Sequence, residues 1–290
     1  MRFNNPRSFS YRHGVLSLST IEGRKKFNVA LPRYAEKYID WKINESVLWV
    51  DRKNRMFFGI CFSKDIDIPI RSAQHRQVLG VDVGIKHLAV TSDRKFYGSV
   101  IPKMRRHQEH TASLQSKGTK SARRHLKKIS GRWTRFMRWK NHNISREIVN
   151  SLGEGNIVAL EGITNIRSNR GKRFNKQLHS WAFSQLQSYI EYKAVQRGCL
   201  VAYINPQYTS QTCRMCNEIG TRNKGFFSCG HCGYSCNADL NASFNIRNRV
   251  KPLAMTFGLP VNQPIVASND GLLNVEHFES PDLSYNAHRL

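Results

Sequence analysis

Two pairs of cysteines constrain this chain more tightly than any other feature. Two residues separate Cys213 from Cys216, two separate Cys229 from Cys232, and twelve lie between the pairs. A C-x-x-C turn aims two thiolates at one point, and two such turns close a tetrahedron around zinc with Zn–S bonds of about 2.3 Å. The central gap is short for this pattern, yet it accommodates a hairpin between the turns. Asn217 follows the first pair and Gly233 the second, and both residue types tolerate the positive φ that such a turn demands. Cys236 and His231 lie nearby, but four thiolates already complete a structural site. The chain has seven cysteines, an odd number, and in a reducing compartment this spacing indicates metal binding rather than disulfides. Cys61 and Cys199 fall in apolar strands and are expected to be buried core thiols. A ribbon of this kind either only holds the fold together or also grips nucleic acid.

The cysteines run into "NADLNASFNI", where Asp239 opens a helix of small, amide and apolar residues and Asn237 is a candidate N-cap. Two other acids sit in similarly unfavourable places. Asp82 interrupts the apolar "VLGVDVG", and Glu161 ends "IVALE". A lone buried carboxylate protonates or costs several kcal/mol, and a hard divalent cation relieves that cost. Each acid also has an ordinary reading: a turn acid, a strand-end surface residue, or an acid favoured by a helix N-terminus. If the three elements converge, the acids hold two Mg²⁺ or Mn²⁺ ions about 3.5–4 Å apart, the spacing used for phosphodiester hydrolysis.

Charge points the same way. The 290 residues carry a formal net charge of +26, which repels itself and is most simply explained by a polyanionic partner, although a solvated basic surface is the plainer alternative. The basic residues concentrate between Lys103 and Lys140. One helix there is predicted to bury Leu126, Ile129, Trp133, Phe136 and Met137 while turning Arg123, Arg124, Lys127, Lys128, Arg132, Arg135 and Arg138 outward to nucleic acid. The opening "MRFNNPRSFSYRHG" lacks a leader's apolar stretch and no run is long enough to cross a bilayer, so no membrane is expected and a cytoplasmic location is.

The first segment, with "GVLSLS", "KFNVAL", "SVLWVD" and "RMFFGICF", reads as a small β-barrel or curled sheet. A hairpin over Val78–Val83 and His87–Thr91 opens a larger sheet, "NIVALEG" and "CLVAYI" add buried strands, and a basic loop "NIRSNRGKRFNKQ" precedes a helix from about Ser180 to Arg197 that stops at Gly198. The order predicts a mixed α/β domain after an all-β start.

"GVDVGIKHLAVTSD", "ALEGI", "YTSQTCRMC" and "CGHCGYSCNADLNASFNI" resemble the motifs of the TnpB family, transposon-encoded proteins long labelled transposases and understood as RNA-guided DNA endonucleases. The resemblance runs from roughly Phe9 to Val250. It implies an RNase H-like (RuvC-like) nuclease with Asp82, Glu161 and Asp239 as its catalytic acids, and a zinc ribbon inserted just before the third. It implies DNA and guide RNA as partners and a β-rich wedge domain gripping them. On this reading residues 1–70 are part of the wedge, 71–212 the nuclease core with its basic helical insertion, 213–235 the zinc ribbon, 236–250 the third-motif helix and 251–290 a loosely ordered tail. The resemblance also places the first residue inside the wedge, so that guide assembly and target recognition would draw on a further N-terminal region. Two other readings stay open: a DNA- or RNA-binding remnant or regulator that does not cut, and a strand-transferring transposase.

Overall fold

The computed structural model describes residues 2–51, 54–66, 76–162, 183–256 and 265–267. They belong to two compact units, Met1–Asp65 and Ile66–His277.

The first unit contains β1 (Arg2–Phe3), β2 (Phe9–Arg12), β3 (Val15–Thr20), β4 (Gly23–Asn28), β5 (Lys42–Val50) and β6 (Met56–Ser63). They form two three-stranded antiparallel sheets, β1–β5–β6 and β2–β3–β4. Phe3, Phe9, Tyr11 and Leu16 are buried between them with Phe58, whose ring meets Phe3 and Phe9 edge-on. The expected barrel does not close among the described residues. β4, "GRKKFN", is exposed along its whole length, and a charged edge of that kind discourages further strand pairing. Cys61 corrects a second expectation: it is exposed, because β6 is an edge strand with one face left open.

In the second unit β7 (Val78–Asp82), β8 (Ala89–Thr91) and β9 (Phe96–Tyr97) form an antiparallel meander. Helices α1 (Ile101–Lys117), α2 (Lys120–Ile129) and α3 (Arg132–Asn150) follow, then β10 (Ile157–Glu161), α4 (Phe183–Gln196) and β11 (Leu200–Ile204). A small antiparallel sheet of β12 (Thr221–Asn223), β13 (Phe226–Ser228) and β14 (Ser235–Asn237) leads into α5 (Ala238–Thr256), and β15 (Ile265–Ala267) comes last. The large sheet has the order β15–β11–β10–β7–β8–β9, parallel from β15 to β7.

Side-chain alternation fixes what covers each face. Val158 and Leu160 of β10 join Leu79 and Val81 of β7 in the core under α3 and α4, whereas Ile157 and Ala159 face Ile246 and Val250 of α5. The sheet is thus covered on both faces, as its near-continuous apolar strands require.

One further expectation needs correction. The basic segment is not one helix. Ser130 is extended and Gly131 takes φ 79, so the chain breaks between α2 and α3 even though the apolar periodicity runs through both. The helix after the cysteines passes residue 250 to Thr256, and Ile265–Ala267 pairs with Ala202–Ile204. The loop "NIRSNRGKRFNKQ" and most of the tail lie outside the described residues.

Candidate metal centres and acidic cleft

The four cysteines come together. Cys213 Sγ lies 3.6 Å from Cys232 Sγ and Cys216 Sγ 3.5 Å from Cys229 Sγ, and all four sulfurs are within 4.8 Å of one another. Sulfurs tetrahedrally bound at about 2.3 Å stand about 3.8 Å apart, so these residues fit a metal ion with little movement. The knuckles are built by backbone bonds, Asn217 N–H to the Cys213 carbonyl at 2.9 Å and Gly233 N–H to the Cys229 carbonyl at 3.1 Å. Asn217 and Gly233 take φ 64 and φ 74, the positive values their residue types admit. N–H groups of Cys232 and then His231 point at Cys229 and lower its thiol to about 6, which favours the ligating thiolate. Phe227, fully buried, packs beside Cys213, Cys229 and Ala238.

The three acids lie at the ends of two strands and in the first turn of the helix that follows the ribbon. Asp82 and Glu161 are the last residues of neighbouring parallel strands. Alternation puts Gly80 and Asp82 of β7, and Ala159 and Glu161 of β10, on the face covered by α5. Asp239 lies in the first turn of that helix. Asn237 caps it, its Oδ1 accepting from the N–H groups of Asp239 (2.9 Å) and Leu240 (3.2 Å). The helix N-terminus therefore points at the carboxyl ends of the strands, the usual place for a site in an open α/β sheet.

Burial raises the Asp82 carboxyl well above its usual range; the charges of Glu161 and Asp239 add to this, and Arg222 opposes them. Glu161 is raised by burial against a hydrogen bond from Thr209 and the charges of Arg249 and Arg222. The three carboxylates share one electrostatic environment. They are not gathered as tightly as the thiols, which are the one such cluster among the described residues.

Sequence reasoning missed the partners of these acids. Asp239 Oδ1 accepts from Arg222 of β12 at 3.0 Å, and Oδ2 lies 3.1 Å from His87 Nδ1. His87 belongs to the β7–β8 turn and packs edge-on against Phe96. Gln187 of α4 donates to the Glu161 carbonyl at 2.8 Å. The amides of the third motif also gain a purpose. Asn241 donates to the Thr212 carbonyl and Asn245 to those of Thr209 and Thr212, at 2.7–2.8 Å. They tie the turn leading into the first knuckle to the helix carrying Asp239. That tie joins ribbon and cleft mechanically.

Of the predicted basic face, Arg123, Arg124, Lys127 and Lys128 on α2 and Arg132 and Arg135 on α3 are exposed, while Arg138 is half-buried. Ala122 and Ile129 are buried beneath them. No helix among the described residues is long and apolar enough to cross a membrane.

A mixed α/β domain with acids at its strand ends and a four-cysteine module inserted before the last acid defines the class. The family described as "Probable transposase" (OrfB_IS605) matches residues 61–166, and the Cas12f1-like TNB domain matches residues 183–246. The CRISPR-associated endodeoxyribonuclease Cas12f1 of Sulfoacidibacillus thermotolerans is 32% identical over 219 residues, 68% of this chain and 50% of that protein. TnpB-like protein MJ0751 of Methanocaldococcus jannaschii is 33% identical over 126 residues, 42% of this chain and 45% of that protein. Among solved structures, one described as the Cas12f1-sgRNA-target DNA complex aligns with 86% of this chain and 66% of that one, at 20% identity and a TM-score of 0.48. The chain belongs to the TnpB-type family. It spans about half the length of each of these two relatives.

Proposed function

We propose that this chain belongs to an insertion-sequence-encoded, metal-dependent, RNA-guided DNA endonuclease. The observation that supports the reading is that the charges of Glu161 and Asp239 both bear on the buried Asp82 carboxyl, at the strand ends faced by the first turn of α5. The strand order, an antiparallel meander followed by parallel strands, supports an RNase H-like (RuvC-like) core. Asp82, Glu161 and Asp239 would hold Mg²⁺ or Mn²⁺, which when bound supplies an activated water and stabilises the leaving oxygen of a phosphodiester. The chain's own groups prepare that site. Thr209 holds the Glu161 carboxylate, Gln187 fixes the end of β10, and His87 and Arg222 hold the two oxygens of Asp239. Cys213, Cys216, Cys229 and Cys232 would hold a structural zinc ion.

The relatives' names include an endodeoxyribonuclease, so DNA is the substrate proposed here, with guide RNA as second partner. The basic residues of α2 and α3 would bind nucleic-acid backbone, reading shape and charge while base pairing supplies sequence. On this reading residues 1–70 belong to a wedge, 71–212 and 236–250 to the nuclease, 213–235 to the ribbon and 251–290 to a tail.

The test is cleavage of a guide-matched duplex in Mg²⁺ or Mn²⁺, using this chain or a chimera carrying the N-terminal region of the Sulfoacidibacillus relative. Asp82→Ala, Glu161→Ala and Asp239→Ala should each abolish cutting, because the acids act as a unit, and each should leave binding intact. A Glu161→Ala protein that cuts at near wild-type rate would remove Glu161 from the site. A second reading, a nucleic-acid-binding protein that does not cut, is favoured by one observation: the Arg222 cation, bonded to Asp239, competes with a metal ion for that carboxylate. Tight binding of a matched duplex by the intact protein, with no cleavage in either metal, would establish it.

A further inference from the structure

The α1–α2 hairpin brings two histidines together far from the acids and the cysteines in sequence. Helix α1 ends at Gly118, which takes φ 62, and Thr119 caps α2 by accepting from the Ala122 N–H at 3.1 Å. The tight turn makes the helices antiparallel, so that His110 lies across from His125. Their Nε2 atoms are 3.4 Å apart, with the rings nearly perpendicular at 83°. Both residues are exposed. His107, one turn earlier on α1, is engaged elsewhere, stacked on Trp133 at 5.8 Å.

We propose that His110 and His125 form a two-imidazole chelate for a nitrogen-preferring divalent transition metal, such as Ni²⁺ or Zn²⁺, that pins α2 to α1. Two imidazole nitrogens bound at about 2.0–2.1 Å across a tetrahedral angle stand about 3.4 Å apart. The hairpin already holds the two nitrogens at that separation, so only ring rotation is needed to turn both lone pairs onto one ion. The metal class follows from the donors. Imidazole suits Zn²⁺, Ni²⁺ and Cu²⁺, whereas Mg²⁺ requires oxygen ligands. Arg106 and Lys128, one helical turn from His110 and His125 respectively, oppose any cation through space, so binding must come from the nitrogen donors themselves, which a hard ion does not prefer. The consequence is mechanical. Helix α2 carries Arg123, Arg124, Lys127 and Lys128, and an ion shared with α1 fixes the orientation of that basic face. The proposal does not depend on the nuclease reading.

The test is calorimetric titration with Ni²⁺ of the full chain carrying Asp82→Asn and Asp239→Asn, which remove the cation site proposed at the acids, after the cysteine site has been loaded with zinc. One additional equivalent should bind. Losing one arm of a chelate removes the advantage of an intramolecular second contact, so His110→Ala and His125→Ala should each weaken binding on the order of 10²-fold. His13→Ala, which removes a lone exposed imidazole of the first unit, should change nothing, and Mg²⁺ should give no corresponding heat. Both substituted side chains are exposed, so metal-free melting temperatures should be unchanged. The absence of an additional equivalent would overturn the proposal. So would equal effects of His13→Ala and His110→Ala, which would mark adventitious binding by surface imidazoles only.

Discussion

Gly80 of β7 lies directly against Ser243 of α5: a methyl group on Gly80 would stand 2.1 Å from the Ser243 carbonyl oxygen and 2.6 Å from the Arg247 nitrogen. Both obstacles are backbone atoms, so no side-chain rotation can relieve the clash. The same close approach sets the spacing between Asp82, two residues further along β7, and Asp239, one turn earlier on α5. Gly80→Ala should therefore push the helix off the strand. We expect a loss of about 1–3 kcal/mol in urea denaturation, together with loss of divalent-metal binding at the acids. A Gly80→Ala protein with unchanged stability would show that α5 does not rest on β7 at this point.

The paired knuckles should bind one equivalent of zinc. The knuckle backbone bonds are few, and a module of this size depends on its metal for folding. Cys229→Ser should lower the zinc content of the purified protein to near zero. Because Asn241 and Asn245 tie the approach to the first knuckle onto α5, it should also increase hydrogen exchange in the first turns of that helix. Elemental analysis showing unchanged zinc would refute the ligand assignment.

The cysteines were legible because their signal is local: two tight turns are written in consecutive residues. The acids stand out in the sequence because each disturbs an apolar or small-residue stretch of its own. What surrounds them was not legible. His87 and Asp239 are 152 residues apart in the chain, and only the folding of the β7–β8 turn against the ribbon hairpin brings them together. Arg222 is one basic residue among 46 lysines and arginines, with nothing local to distinguish it. The break at Ser130–Gly131 was hidden for another reason. Ile129 and Trp133 both face the body, so the apolar stripe continues across a backbone that is no longer helical. The exposed Cys61 shows the limit of reading a strand as buried from composition alone, since burial depends on what covers each face.

The basic face makes a prediction about salt. Arg124 and Lys128 on α2 and Arg135 on α3 are exposed. Each one that neutralises a phosphate releases a condensed counterion, and the logarithm of affinity falls with the logarithm of salt by about 0.9 per phosphate contact on duplex DNA. Changing all three to Glu should flatten that slope by about 2–3 and weaken binding most strongly at low salt. Fluorescence anisotropy across a salt series measures this directly. An unchanged slope would show that these helices do not face the polyanion.

The Asp82 carboxyl supplies the last prediction. Burial, then Glu161 and Asp239, raise its pKa in the folded protein, whereas in the unfolded chain it titrates near the ordinary value of about 3.9. The folded state therefore binds more protons than the unfolded state between those two values. Stability in the absence of Mg²⁺ or Mn²⁺ must fall as pH rises through that window, because ionising Asp82 puts a charge into a desolvated site. Asp82→Asn removes that charge at nearly constant shape. With the ribbon zinc-loaded and no other metal added, the variant should melt above the wild type at pH 7.5, and the difference should shrink as pH falls towards the unfolded value. Mn²⁺ should then reverse the order, stabilising the wild type by mass action and leaving the variant unchanged. Thermal denaturation over a pH series, with and without Mn²⁺, checks both halves. If the two proteins keep a constant difference across the pH range, Asp82 is not the strained acid of the cleft. If Mn²⁺ stabilises both equally, the ion is held elsewhere.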